Sequence, residues 1–259
     1  MGDPNKNGLG RAISAEVKRE VRQRCGFGCV RCGLGFYDYE HFAPDFKDAV
    51  VHDPAGITLL CMQCNQKRAR GLLSAETVAQ ANASPRCLQE GFTREEWGFG
   101  NDPIEVAFGA VTFTAVTNLI EVNGQSILSL LPPEEGSAFY RLSGVFTDST
   151  GKATLKIVDN EWSAGIENWD IECVGPRITV RSGPRDIALI LKSEPPHRLV
   201  IEKLHMRYGS YILRGNTECL EISVDGMNWS RMSAVSMYGA HVGISLNFSR
   251  PRGELRLIR

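Results

Sequence analysis

Two cysteine pairs, Cys29-Val-Arg-Cys32 and Cys61-Met-Gln-Cys64, constrain what this chain can fold into more than any other feature. A C-x-x-C turn lets two thiolates converge on one ion, and two such turns complete the tetrahedral four-sulfur shell that Zn²⁺ adopts in structural sites. The pairs therefore predict a structural Zn²⁺ held by Cys29, Cys32, Cys61 and Cys64. The 28 residues between the pairs, 33–60, exceed the roughly 15–20 of a compact zinc ribbon. The zinc must staple an inserted element, and chemistry is expected in that insert.

The other four of the eight cysteines, Cys25, Cys87, Cys173 and Cys219, are scattered. That usage suits a reducing compartment better than a disulfide framework, and Cys25 reads as a buried free thiol rather than a spare ligand. No apolar run approaches the roughly 20 residues needed to span a bilayer, and the first residues are polar, unlike a secretory leader. The expectation is a cytoplasmic protein with no membrane partner. A formal net charge of −1 excludes a globally basic nucleic-acid binder, so any such surface must be local. Two stretches could supply it: Lys18, Arg19, Arg22 and Arg24 before the first pair, and Lys67, Arg68 and Arg70 after the second.

In chain order, residues 1–12 are rich in Gly and Asn without periodicity and are expected to form a flexible tail. Ser14 sits where an N-cap belongs, and 15–24 reads as a short helix. The aromatic run 35–42 reads as a strand ended by Pro44, 57–60 as a second strand, and 65–72 as a helix. Ser74 caps a further helix over 75–81. Residues 86–104 read as an irregular linker. From about 105 short β-rich runs alternate with turn residues: 110–116, 119–122, 126–131, 139–146, 153–158, 169–174, 177–181, 186–192, 199–206 and 219–224. Asn123-Gly124 is a two-residue hairpin turn. The stretch 238–259 is expected to add one or two strands and a basic tail with Arg250, Arg252, Arg256 and Arg259. The fold class is α+β, with a zinc-stapled domain over 13–85 and a mostly antiparallel β-sandwich or barrel-like domain over 105–259. Trp162, Trp169 and Trp229 read as core or hairpin residues rather than base-stacking platforms.

Gly28-Cys29-Val-Arg-Cys32-Gly33, Tyr39-Glu40-His41-Phe42-Ala-Pro44 and Leu59-Leu60-Cys61-Met-Gln-Cys64-Asn65-Gln-Lys67 together resemble the HNH endonuclease family, especially its cysteine-stapled members. The resemblance covers about residues 15–75. It implies a ββα-metal module that hydrolyses phosphodiester bonds in DNA, duplex in preference to single-stranded. Within it His41 would be the general base, and Glu40 and Asn65 would hold a catalytic divalent ion separate from the zinc. Asparagine in place of the family's alternative histidine points to a hard ion, Mg²⁺ or Mn²⁺. Lys67, Arg68, Arg70, Arg22 and Arg24 would contact phosphates.

The chain departs from the family at the middle asparagine, whose position falls near Gly56 and Ile57; His52 is the nearest polar residue for that orienting role. A β-rich partner domain would recognise DNA features, a ligand or a partner, as in a defence or restriction-like nuclease. A C2 homodimer is the simplest way for a single-site nuclease to cut both strands. The alternative is a catalytically inactive zinc-stapled module that binds nucleic acid or another protein.

Overall fold

The computed structural model describes residues 3–100, 102–137 and 139–247. Helix α1 (Ala15–Cys25) is capped by the Ser14 hydroxyl, which accepts from the Val17 amide. The first cysteine turn follows, then β1 (Asp38–His41), which pairs antiparallel with β2 (Ile57–Leu60) in a two-stranded sheet. Helix α2 (Met62–Ala69) begins earlier than the composition of 65–72 suggests, because Cys61 is itself the N-cap: its sulfur accepts from the Cys64 amide. Metal turn and helix start are thus one structure. Helices α3 (Ala75–Ala83), capped by Ser74, and α4 (Arg86–Glu90) complete the module.

Its core comprises twelve buried residues, among them Val21, Val30, Ile57, Leu59, Leu60 and Val78, and three of the twelve are the pair cysteines Cys29, Cys61 and Cys64. The pair cysteines are thus a large share of a small core.

The expected linker is not irregular. After α4 comes β3 (Phe92–Glu96), which pairs antiparallel with a strand of the β-rich region. The strands then run β4 (Glu105–Phe108), β5 (Val111–Thr114), β6 (Asn118–Val122), β7 (Gln125–Leu131) and β8 (Arg141–Thr147). Next are β9 (Ala153–Val158), β10 (Glu161–Gly165), β11 (Asp170–Val174), β12 (Arg177–Gly183) and β13 (Asp186–Glu194). The series ends with β14 (Arg198–Tyr208), β15 (Tyr211–Gly215), β16 (Leu220–Ser223), β17 (Ser230–Met232), β18 (Val235–Tyr238) and β19 (Val242–Leu246). Arg250, Arg252, Arg256 and Arg259 lie outside the described residues.

One sheet has the order β19-β6-β7-β8-β9-β10-β3. The other runs β11-β12-β13-β14-β15-β16-β17, with β4, β5 and β18 joined to it through the free half-edge of β14. Pairing is mostly antiparallel, with three parallel exceptions: β4 with β14, β5 with β18 and β6 with β19. Inward side chains from both sheets, such as Leu119, Leu142 and Leu155 from one and Val180, Leu191 and Leu213 from the other, join a single core. This is the sandwich arrangement, with period-two burial along strands such as β5, β8 and most of β14.

The four-cysteine module is docked onto that sandwich. Phe27, in the turn before Cys29, is 2% exposed and belongs to the sandwich core. The Gly35 amide donates to the Arg94 carbonyl on β3, and a Cβ at Gly35 would lie 2.3 Å from the Trp162 ring, so only glycine fits there. Across the same boundary the Arg22 guanidinium forks onto Asp170 at 2.8 and 2.7 Å. It also donates to Glu172 at 3.0 Å and to the Tyr39 hydroxyl at 2.7 Å, while Arg181 caps the two carboxylates from the far side. Asp170 is fully buried and the Arg22 side chain is 3% exposed. Arg22 is therefore not the phosphate contact that its basic surroundings suggest; it is an internal ion pair across the boundary.

Removing one partner of a buried pair strands the other charge, at about 3–5 kcal/mol. Asp170→Ala is expected to lower unfolding free energy by that amount in urea denaturation. Glu172→Gln, whose carboxylate is partly exposed, should cost distinctly less.

Candidate active site and metal centre

The sulfurs of Cys29, Cys32, Cys61 and Cys64 all lie within 4.8 Å of one another, and Cys32 Sγ is 3.5 Å from Cys61 Sγ. A tetrahedral ion with Zn–S bonds near 2.3 Å requires sulfurs about 3.8 Å apart, so the donor set fits Zn²⁺. The electrostatics also call for a cation. The neighbouring Cys32 thiol holds Cys29 low, while Cys32 itself is pushed up in return. Burial, and then the charge of Cys29, pushes Cys64 up to about 12. Four thiolates can share this space only around a positive ion. Cys25 stays out of the cluster as a buried thiol beside Thr58, and burial raises its pKa.

Strand β1 carries Glu40 and His41 to the same sheet end at which Thr58 and Ile57 of β2 stand opposite. His41 is 7% exposed, and its ring meets Phe46 edge-on. His41 Nε2 lies 3.0 Å from His52 Nδ1, and His52 Nε2 lies 2.9 Å from the Gly10 carbonyl oxygen. A carbonyl only accepts, so in neutral His52 the proton sits on Nε2 and Nδ1 is an acceptor. His41 must then donate from Nε2, which leaves the lone pair of neutral His41 on Nδ1. Burial, and then the neighbouring His52, holds the His41 imidazole below its ordinary pKa. The result is a neutral, oriented imidazole with a free basic nitrogen.

The middle-asparagine position near Gly56 carries no side chain, and the backbone explains why. The Gly56 carbonyl accepts from the amides of Phe42 and Ala43, and a Cβ on Gly56 would lie 2.2 Å from the Ala43 oxygen. No side chain fits at that position.

The stretch 1–12 is also not a free tail where it is described. Asn5 donates to the carbonyls of Phe46 and Ala49, Asn7 to that of Asp48, and Lys6 pairs with Asp48. Arg11 lies 4.6 Å over the Phe46 ring. This segment holds Gly10 in position to accept from His52.

Beside His41 opens a cavity of about 380 Å³ lined by Glu40, His41, Asp45, Phe46, Arg68 and Leu73 among others. Arg68 bridges its walls. Its guanidinium contacts Glu40 at 3.4 Å and the His41 carbonyl at 3.4 Å, and makes a short contact with Asp45. Burial raises the pKa of Glu40, with Arg68 opposing. Asn65 lies one turn before Arg68 and Ala69 on α2, half-buried, and does not line the cavity. Among the described residues, the four cysteines are the only group of three or more His, Cys, Asp or Glu donors placed to share an ion.

The basic residues divide. Arg24 is used internally, donating to Asn82 and to the carbonyls of Pro54 and Ile57. Arg70 is exposed and Lys67 half-buried at the end of α2, next to the cavity residues Arg68 and Ala69. Asp45, Phe46 and Gly10 belong to the site although no motif marks them; the only sequence hint is the proline after His41, which begins the loop carrying Asp45 and Phe46.

No family model, curated protein or solved structure matches the chain. Among the described residues no helix is long and apolar enough to cross a membrane.

Proposed function

We propose that the zinc-stapled module is a metal-dependent endonuclease of the HNH type that hydrolyses phosphodiester bonds in duplex DNA. The observation that carries this reading is the Gly10–His52–His41 chain of hydrogen bonds, which fixes the His41 tautomer at the edge of an open cavity. Water at neutral pH is a poor nucleophile toward a phosphodiester, and a neutral imidazole can take its proton as the bond to phosphorus forms. His41 Nδ1 accepts that proton, and His52 keeps the ring oriented and shares the resulting charge with the Gly10 carbonyl. Arg68, whose planar fork matches phosphate oxygens, exchanges its contacts with Glu40 and Asp45 for the substrate. Lys67 and Arg70 extend the phosphate contacts along the end of α2.

Glu40 would hold a divalent ion, Mg²⁺ or Mn²⁺, which would supply charge neutralisation at the phosphate and leaving oxygen; Asn65, which does not line the cavity, is not needed as its ligand. A Mg²⁺ ion that brings its own waters and the substrate phosphate needs only one or two protein donors, which suits a site with a single half-buried carboxylate. The sandwich would supply recognition, as in a restriction-like or defence nuclease.

A second reading is favoured by Arg68 itself. Its guanidinium occupies the space between Glu40 and Asp45, which is where a cation would otherwise sit. A module that keeps this arrangement on DNA would bind without cutting. Incubation of supercoiled plasmid with zinc-loaded protein, in Mg²⁺, in Mn²⁺ and without either, separates the two. Metal-dependent nicking or linearisation is expected. Binding that falls steeply with salt, with no cleavage of any substrate, would select the second reading.

A further inference from the structure

A second cavity, of about 340 Å³, opens at the boundary between the module and the sandwich, away from His41. Phe36 and Met62 of the module form one side of it. Trp97, Trp162, Glu95 and Ser193, from three different strands or their ends, form the other. Three properties set what it can hold. Its walls are aromatic, with two tryptophans and a phenylalanine. Its charge is negative: Glu95 and Glu96 line it, no Lys or Arg does, and neither carboxylate has an ion-pair partner among the described residues. It also contains an orphaned polar group, for Ser193 is 4% exposed and its Oγ is buried without a hydrogen-bond partner.

The balance of charge selects the ligand class. A phosphate or carboxylate would meet Glu95 and Glu96 with nothing to offset the repulsion. A neutral apolar molecule would leave the negative charge of Glu95, whose Oε1 accepts from the Glu96 amide, without an opposite charge, and the Ser193 hydroxyl without a partner. An alkylated ammonium group answers the carboxylate charge, since aromatic side chains attract cations and a half-buried carboxylate gains from an opposite charge; Phe36 is the most open of the rings, with Trp97 and Trp162 9% and 2% exposed. Burial raises the pKa of Glu95; the hydrogen bond from the Glu96 amide opposes that, and the charges of Glu96 and Glu161 add to it. Cys173, on the wall, is pushed up to about 12 by burial and stays a neutral thiol.

We infer that this cavity is a binding site for a small organic cation, an alkylated ammonium group held between Trp97, Trp162 and Phe36 and paired with Glu95. The site stands independently of whether the module cuts DNA. Met62 directly follows the zinc ligand Cys61 and opens α2, so an occupant touches the helix that carries Arg68.

The test uses the full-length zinc-loaded protein and choline as the probe, with its uncharged tert-butyl isostere as control. Tryptophan fluorescence and titration calorimetry provide the readouts. Choline is expected to bind saturably and the isostere about tenfold more weakly or worse. Glu95→Gln, which keeps shape and removes charge, should weaken choline binding about tenfold while zinc content and circular dichroism stay unchanged; Trp97→Ala should do likewise. No saturable choline binding, equal binding of the isostere, or an unchanged affinity in a folded Glu95→Gln variant would each overturn the assignment.

Discussion

Replacing Cys64 with serine is expected to unfold the module while leaving the sandwich standing. Zinc binding to a four-thiolate site is worth roughly 10–16 kcal/mol in small zinc-dependent folds, whereas domains are stable by only about 5–15 kcal/mol. Here the cysteines are a quarter of the module's twelve-residue buried core, and Cys61 and Cys64 also start α2. Losing the ion therefore removes the core's centre, the helix cap and the alignment of β2 with α2 together. The sandwich retains its own core, to which the module contributes Phe27. Elemental analysis should find no zinc in the variant. Limited proteolysis should cleave within 33–75 and spare the strands from 104 to 215. A Cys64→Ser protein that resists protease in the module would mean that the apolar core suffices without zinc.

Replacing His41 with alanine is expected to lower DNA cleavage by about 10²- to 10⁴-fold, the usual contribution of a positioned general base. His52→Ala should have a smaller effect, about 10- to 100-fold, as found for groups that orient a metal-bound histidine. The order follows from the geometry: His41 lines the cavity, whereas His52 stands behind it and acts by fixing the tautomer. Cleavage rates under single turnover, with zinc content checked in each variant, measure both. An equal loss in the two variants would mean that His52 itself handles the proton.

Much of this architecture is legible in the sequence. Each of the ten β-rich runs read beyond residue 105 contains a strand, because β-branched and aromatic residues between turn residues leave few other options. Two strands of the same composition, β4 and β15, fall outside those runs, and strands of weaker composition do too. In β10, Glu161-Trp-Ser-Ala-Gly has no β-branched residue, and in β3, Phe-Thr-Arg-Glu-Glu ends in charges; both are strands because their neighbours pair with them. The four-cysteine cluster is readable from spacing.

What spacing could not convey is convergence over long separations. Arg22 looks like its basic neighbours, yet its partners Asp170 and Glu172 lie 148 and 150 residues away. The tail appeared free because the partners of Asn5 and Asn7 are loop carbonyls, which leave no trace in the sequence. Arg68 appeared to be a phosphate contact; its engagement with Glu40 and Asp45 depends on how the loop after β1 folds back over α2.

The most direct test compares wild-type protein with His41→Asn on one labelled DNA duplex, following both binding across a salt series and cleavage with Mg²⁺ or Mn²⁺. The account predicts that the two proteins bind with the same affinity and salt dependence, and that only the wild type cuts. A wild type that binds but never cuts, or a variant that cuts as fast as the wild type, would contradict a nuclease centred on His41.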